Sequence, residues 1–89
     1  MYNIVYTKTF ENDLKKLDKP AVQRIIAKIL ETANNPYNIQ PLGYSPKGLE
    51  HLYKLRVGDW RILFWLDHGE KTLTLYIVEH RSKIYKNLQ

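Results

Sequence analysis

The sequence predicts an α+β fold with the element order β-α-α-β-β-β. Two N-terminal helices should cover one face of a twisted, mainly antiparallel four-stranded sheet, and a short basic tail or helix should close the chain. Three observations predict this. Val22, Ile25, Ile26, Ile29, Leu30 and Ala33 recur at the spacing that lines up apolar side chains along one side of a helix, and such a stripe needs a sheet to cover. The stretch from Leu49 to Glu79 instead alternates with a period of two, broken by Val57-Gly58-Asp59 and by Asp67-His68-Gly69-Glu70, as an antiparallel meander of three strands would be. Finally, 89 residues are enough for one domain, 1–89, with a single modest core.

Each element follows from local chemistry. Tyr2 to Thr7 alternates with β-forming residues and reads as the first strand. Thr7 or Thr9 can then cap a short helix that carries Phe10, Leu14 and Leu17. Asp18-Lys19-Pro20 breaks that helix and starts the next, because proline is tolerated in a first turn where an N–H has no helical partner. Asn34-Asn35-Pro36 ends the second helix, and a loop punctuated by proline and glycine runs to Gly48; so long a loop in a small domain is often functional. Strands are then expected from Leu49 to Val57, from Trp60 to Asp67 and from Thr72 to Glu79, with the basic tail from Arg81 to Gln89. There are no internal repeats and no low-complexity segment.

Composition narrows the function classes. Fourteen Lys and Arg against nine Asp and Glu give a formal net charge of +5, which favours a polyanionic partner, nucleic acid first. The excess is spread over both halves of the chain, so placement has to carry the inference. The absence of cysteine rules out a disulfide framework, thiol catalysis and thiolate zinc sites, and suits a cytoplasmic protein. The N-terminus lacks the apolar region of a signal peptide, and the apolar run from Ile62 to Leu66 is far too short to cross a bilayer. A soluble cytoplasmic protein without a membrane partner is expected.

The hairpin from Tyr53 to Phe64 holds the leading candidate site. Alternate strand residues share a face, so Lys54 and Arg56 project together, and the return through Val57-Gly58-Asp59 brings Arg61 to the same face. Guanidinium forks bind phosphate oxygens in pairs and an ammonium adds a compact charge, which suits a phosphate site; the plainer reading is the solvated face of a half-covered sheet. Arg81 and Tyr85 follow the last strand, where a phenol could stack on a base or move a proton, unless the tail is a frayed end with a packed tyrosine. His80 is a possible acid or base, although a single histidine beside an arginine is more often a packing or surface residue. His51 and His68 lack metal-ligand spacing. Nor do the carboxylates pair convincingly: Glu50 and Glu79 flank strands, Asp59 and Asp67 serve turns, and Glu11, Asp13 and Asp18 belong to helix surfaces. A metal-dependent nuclease is disfavoured, no glycine-rich nucleotide motif is present, and neither metal nor cofactor is expected.

The run Lys47-Gly48-Leu49 to Tyr53-Lys54-Leu55-Arg56-Val57-Gly58-Asp59-Trp60-Arg61-Ile62, followed by Val78-Glu79-His80-Arg81-Ser82-Lys83-Ile84-Tyr85, resembles the RelE branch of the RelE/ParE toxin superfamily. The resemblance spans nearly the whole chain and implies the toxin of a type II toxin–antitoxin pair. It implies a metal-independent endoribonuclease that enters the ribosomal A site and cuts mRNA, with a RelB-like antitoxin, the ribosome and mRNA as partners. Lys54 matches the first catalytic lysine of that family, and Arg56 stands where a second lysine is usual, keeping the charge but making a poorer proton carrier. Arg61 matches the arginine proposed to hold the scissile phosphate, and Arg81 and Tyr85 match the C-terminal arginine and tyrosine. Lys47, Lys83 and Lys86 are expected as further RNA contacts. Two alternatives stand beside this: a ParE-like toxin that poisons DNA gyrase, and a non-catalytic RNA-binding module that stacks bases on Tyr53, Trp60 and Trp65.

Overall fold

In the computed structural model of the chain, which describes residues 1–37 and 52–83, the elements are β1 (Asn3–Tyr6), α1 (Lys8–Leu14), α2 (Lys19–Asn34), β2 (Leu52–Val57), β3 (Trp60–Asp67) and β4 (Thr72–His80). This is the α+β arrangement and the element order expected from the sequence. The expected start of β2 at Leu49, most of the loop running to Gly48, His51 and the tail beyond Lys83 lie outside the described residues.

Short polar side chains set both helix starts. The Thr7 hydroxyl oxygen accepts from Phe10 N at 3.2 Å, capping α1, while its O–H donates to Leu75 O at 2.7 Å, so one side chain caps the helix and fastens it to β4. Asp18 caps α2 by accepting from Ala21 N at 3.0 Å, with Pro20 in the first turn. The buried side of α2 is formed by Ala21, Ile25, Ile29, Thr32 and Ala33. It is turned slightly from the expected stripe, leaving Ile26 half-buried and Leu30 exposed. Thr32 is accommodated because its hydroxyl donates to Lys28 O at 2.8 Å. Phe10, Ile25, Ile29, Phe64, Leu73 and Leu75 are fully buried in one cluster that joins both helices to the sheet. Each such side chain contributes about 1.5–3 kcal/mol relative to exposure.

The sheet order is β1-β4-β3-β2, with β1 parallel to β4 and the remaining pairs antiparallel. β1 covers only Thr72 to Leu75 of β4. Beyond that point α1 takes over: Thr7 donates to Leu75 O and, at 3.3 Å, to Tyr76 O, and Asp13 Oδ2 accepts from Val78 N at 3.2 Å. Backbone groups on this side of the strand are thus met by helix side chains instead of by a strand. Opposite them the β3–β4 register shifts: Phe64 faces Leu75 but Leu63 faces Ile77, so Tyr76 is one residue extra, a β-bulge. On the face away from the helices, Leu52, Leu63 and Ile77 form a second buried cluster, with Trp65 and Tyr76 against it.

At the end of the sheet near the β3–β4 turn, the Tyr2 hydroxyl hydrogen-bonds His68 Nδ1 at 2.6 Å, and Tyr37 stacks on the His68 ring at 5.9 Å and 9°. Burial pushes the Tyr2 phenol pKa up, helped by the neighbouring Tyr37 and by the negative charge of Asp67.

Candidate nucleic-acid interface

The site is built by a two-residue turn. Val57 pairs with Trp60, leaving Gly58 and Asp59 at the tip, and Gly58 has φ of +59°. A side chain there would be strained although the space around it is open, so this position needs glycine for its backbone alone. The tight return fixes the register that sets Lys54 opposite Leu63 and Arg56 opposite Arg61. All three expected hairpin cations therefore share one sheet face.

Like charges directly across a ladder repel, and the fold answers this by turning Arg61 aside. Its Nη1 donates to Gly58 O and to Trp60 O, each at 2.9 Å, and the residue is only 8 % exposed. The sequence reading set Arg61 beside Lys54 and Arg56 on a face offered to phosphate; the side chain starts on that face, but its guanidinium braces the carbonyls of the turn. Arg56 is exposed and Lys54 half-buried on the same face. On β4, Glu79 lies opposite Arg61, so the row across the sheet reads Arg56, Arg61, Glu79.

Arg81 closes the same end of the sheet. Its N–H donates to Asp59 O at 2.8 Å, and its Nε lies 3.6 Å from Asp59 Oδ1, both side chains being 64 % exposed. An ion pair so exposed contributes at most about 1 kcal/mol, which holds Arg81 beside the turn while leaving it exchangeable for a phosphate oxygen. Lys83 is exposed in the following turn, where its N–H donates to His80 O at 2.9 Å.

His80 goes elsewhere. It pairs with Trp60, the rings meeting edge-on at 5.5 Å and 89°, and Trp60 packs against the helix-side core. The histidine thus lies on the face opposite Arg56 and Arg61. The bulge is the cause: continuing the register of Asp67 with Thr72 unbroken would set Val78 against Arg61 and return His80 to the cation face, whereas the extra residue inverts the alternation from Ile77 onward. The Ser82 N–H donates to His80 Nδ1 at 3.3 Å and the Ser82 hydroxyl lies 2.9 Å from it, so Nδ1 is an acceptor and a neutral ring carries its proton on Nε2. Tyr85, Lys47 and Lys86 lie outside the described residues.

The sequence reading missed three carboxylates. It left Glu79 as a strand flank, Asp59 as a turn residue and Asp13 on a helix surface, yet Glu79 shares the cation face, Asp59 engages Arg81 and Asp13 binds β4. Only the Asp59 arrangement had a visible signal, an acidic turn residue between basic strands. Among the described residues no group of three or more His, Cys, Asp and Glu side chains could hold a metal ion, and no helix is long and apolar enough to cross a membrane.

A family model described as the ParE toxin of the type II toxin–antitoxin system parDE matches residues 4–85. The chain belongs to the RelE/ParE toxin superfamily. It is a toxin of the type II toxin–antitoxin class. Among RelE/ParE relatives, toxin RelG of Mycobacterium tuberculosis is 30% identical over 88 residues, covering 96% of this chain and 97% of RelG. The toxin–antitoxin complex RelBE2 of the same organism has a matching chain at TM-score 0.77 and 24% identity, over 90% of this chain and 98% of that one. In the RelB–RelE antitoxin–toxin complex of Methanococcus jannaschii, the match has TM-score 0.69 and 27% identity, over 96% of this chain and 99% of that one.

Proposed function

We propose that this toxin is a metal-independent, ribosome-dependent endoribonuclease of the cytoplasm that cuts mRNA in the ribosomal A site, and that a RelB-like antitoxin restrains it. The observation that carries the reading is the cross-strand row of Arg56 and Arg61 with Lys54 on the same face and Arg81 pinned at the adjoining turn. These cations are held on strands and a tight turn, which suits electrostatic stabilisation of a phosphate that gains charge.

The reaction is attack of a ribose 2′-oxygen on the neighbouring phosphorus, with cleavage of the P–O5′ bond, leaving a 2′,3′-cyclic phosphate and a 5′-hydroxyl. Lys54 or Tyr85 takes the 2′-OH proton, and a proton from the surrounding cations or water reaches the departing 5′-oxygen. Arg56 and Arg81 meet the phosphate oxygens, while Arg61 braces the turn and adds its fixed positive charge beside them. His80, on the other face, takes no part in this proton transfer. A site without a histidine pair depends on the ribosome to fix mRNA in a reactive geometry.

Mapping RNA 5′ ends after induction in growing cells tests the reading: cuts should fall inside translated codons, and co-expressed antitoxin should abolish them. The match to a ParE model favours a second reading, poisoning of DNA gyrase. Intact message together with gyrase-dependent DNA breaks would establish that reading and overturn the first.

A further inference from the structure

Behind the cation face, where α1 leaves the sheet, lies a cavity of about 220 Å³ lined by Asp13, Lys16, Leu17, Trp60, His80 and Lys83, together with strand residues 78–79. It is smaller than the roughly 300–1,000 Å³ of clefts that take drug-sized molecules, so its occupant is a single ring or side chain. We propose that it takes one nucleobase of the bound RNA, next to the phosphate engaged by Arg81; this rests on the ribonuclease reading and assigns a second RNA contact to it.

The chemistry is that of a base site. Trp60, half-buried and with His80 standing edge-on to it, lines the cavity, so two aromatic rings form part of the wall that a planar base would meet. His80, with Nδ1 occupied by Ser82, presents Nε2–H as a donor to a ring nitrogen or carbonyl. Asp13 holds Val78 N through Oδ2, leaving Oδ1 to accept from an exocyclic amine. Lys16 and Lys83 are both exposed at this cavity, and neither forms an ion pair among the described residues, which suits flanking phosphates better than a protein side chain. Continuity supports the same occupant. Arg81 is held at Asp59 in the β2–β3 turn and Lys83, two residues on, lines the cavity, so a strand crossing that turn meets both.

The test is titration of the full chain with AMP, GMP, CMP and UMP, followed by NMR of the Trp60 indole N–H, assigned with a Trp65→Phe variant. The expected result is a saturable shift with the three amino-bearing nucleotides and a weaker one with UMP, and roughly ten-fold weaker binding in a Lys16→Ala/Lys83→Ala variant. No saturable shift with any nucleotide overturns the proposal, as does a Trp60 shift produced only by antitoxin. In cells, the same double variant tells the source of the base. An altered sequence around the cuts assigns it to mRNA, and an unchanged sequence with weaker ribosome co-sedimentation assigns it to ribosomal RNA. A nucleotide-dependent Trp60 shift in a toxin that leaves message uncut would sink the ribonuclease reading and keep the base site, so the two fail separately.

Discussion

The two halves of β4 solve the same problem by different means. From Thr72 to Leu75 the strand lies between β1 and β3, and its backbone is paired on both sides. From Tyr76 to His80 β3 is the one strand neighbour among the described residues, and the other side is met by Thr7 and Asp13 of the α1 region. A ladder enforces strict alternation, whereas side-chain hydrogen bonds tolerate the extra Tyr76, and the inverted alternation follows from that tolerance. The regular half anchors the core, and the irregular half sorts Glu79 onto the cation face and His80 away from it. In this fold the end of the strand that borders the cation face is the one released from β1.

This contrast can be broken at Leu75, where the two halves meet. Leu75→Ala removes a fully buried side chain and should cost about 2–5 kcal/mol in chemical denaturation, loosening both halves together. If amides of only one half exchanged faster, the halves would be independent units. Asp13→Ala acts on the irregular half alone: leaving Val78 N without its acceptor should cost about 1–3 kcal/mol and speed exchange at Val78 while sparing Leu73. Equal acceleration at both amides would show that α1 supports the whole strand. Arg61→Ala strips donors from Gly58 O and Trp60 O, so it should lower stability by about 1–2 kcal/mol as well as lowering RNA cleavage. An unchanged melting temperature would mean that the brace contributes nothing to folding.

The smallest expected effect belongs to the regular end and appears only in alkali. Because the Tyr2 pKa is raised in the folded chain, its contribution is fully present below the ordinary tyrosine value near 10 and is lost as pH rises through the higher folded value. Wild type should lose melting temperature over that range more steeply than Tyr2→Phe; parallel curves would remove Tyr2 from the account.

Much of the architecture was legible because it rests on periodic signals. The α2 stripe, the turn at Gly58 and Asp59, the Thr7 cap and the break at Asp18-Lys19-Pro20 are local, and each appears where its own residues demand it, although Asp18, read only as a helix-surface residue, turns out to cap α2. The hairpin cations were legible for the same reason, since a turn of fixed length dictates register. What escaped the sequence reading was non-local. No neighbour of Tyr76 marks it as an extra residue, because the bulge depends on α1 reaching the strand edge from the other end of the chain. Arg61 was misjudged since alternation gives the face on which a side chain starts, not where a long one ends. Glu79 and His80 were given no face from the sequence, because the bulge decides which side of the sheet each takes.

The pairing of the first strand with the last has a consequence for synthesis. Thr7 and Leu75, joined by a hydrogen bond, are 68 residues apart, and among the described residues β1 pairs with β4 alone. At about 5–20 residues per second the opening segment waits roughly 3–14 s for that partner, beyond the further delay of leaving the exit tunnel. Until β4 is made, the β2–β3 hairpin therefore lacks the strand that joins it to β1. The hairpin that sets the arginine row closes on its own turn, but Glu79 and Arg81 come to it only with β4 and the turn that follows, so a copy that stops before β4 lacks both the carboxylate opposite Arg61 and the partner of Asp59.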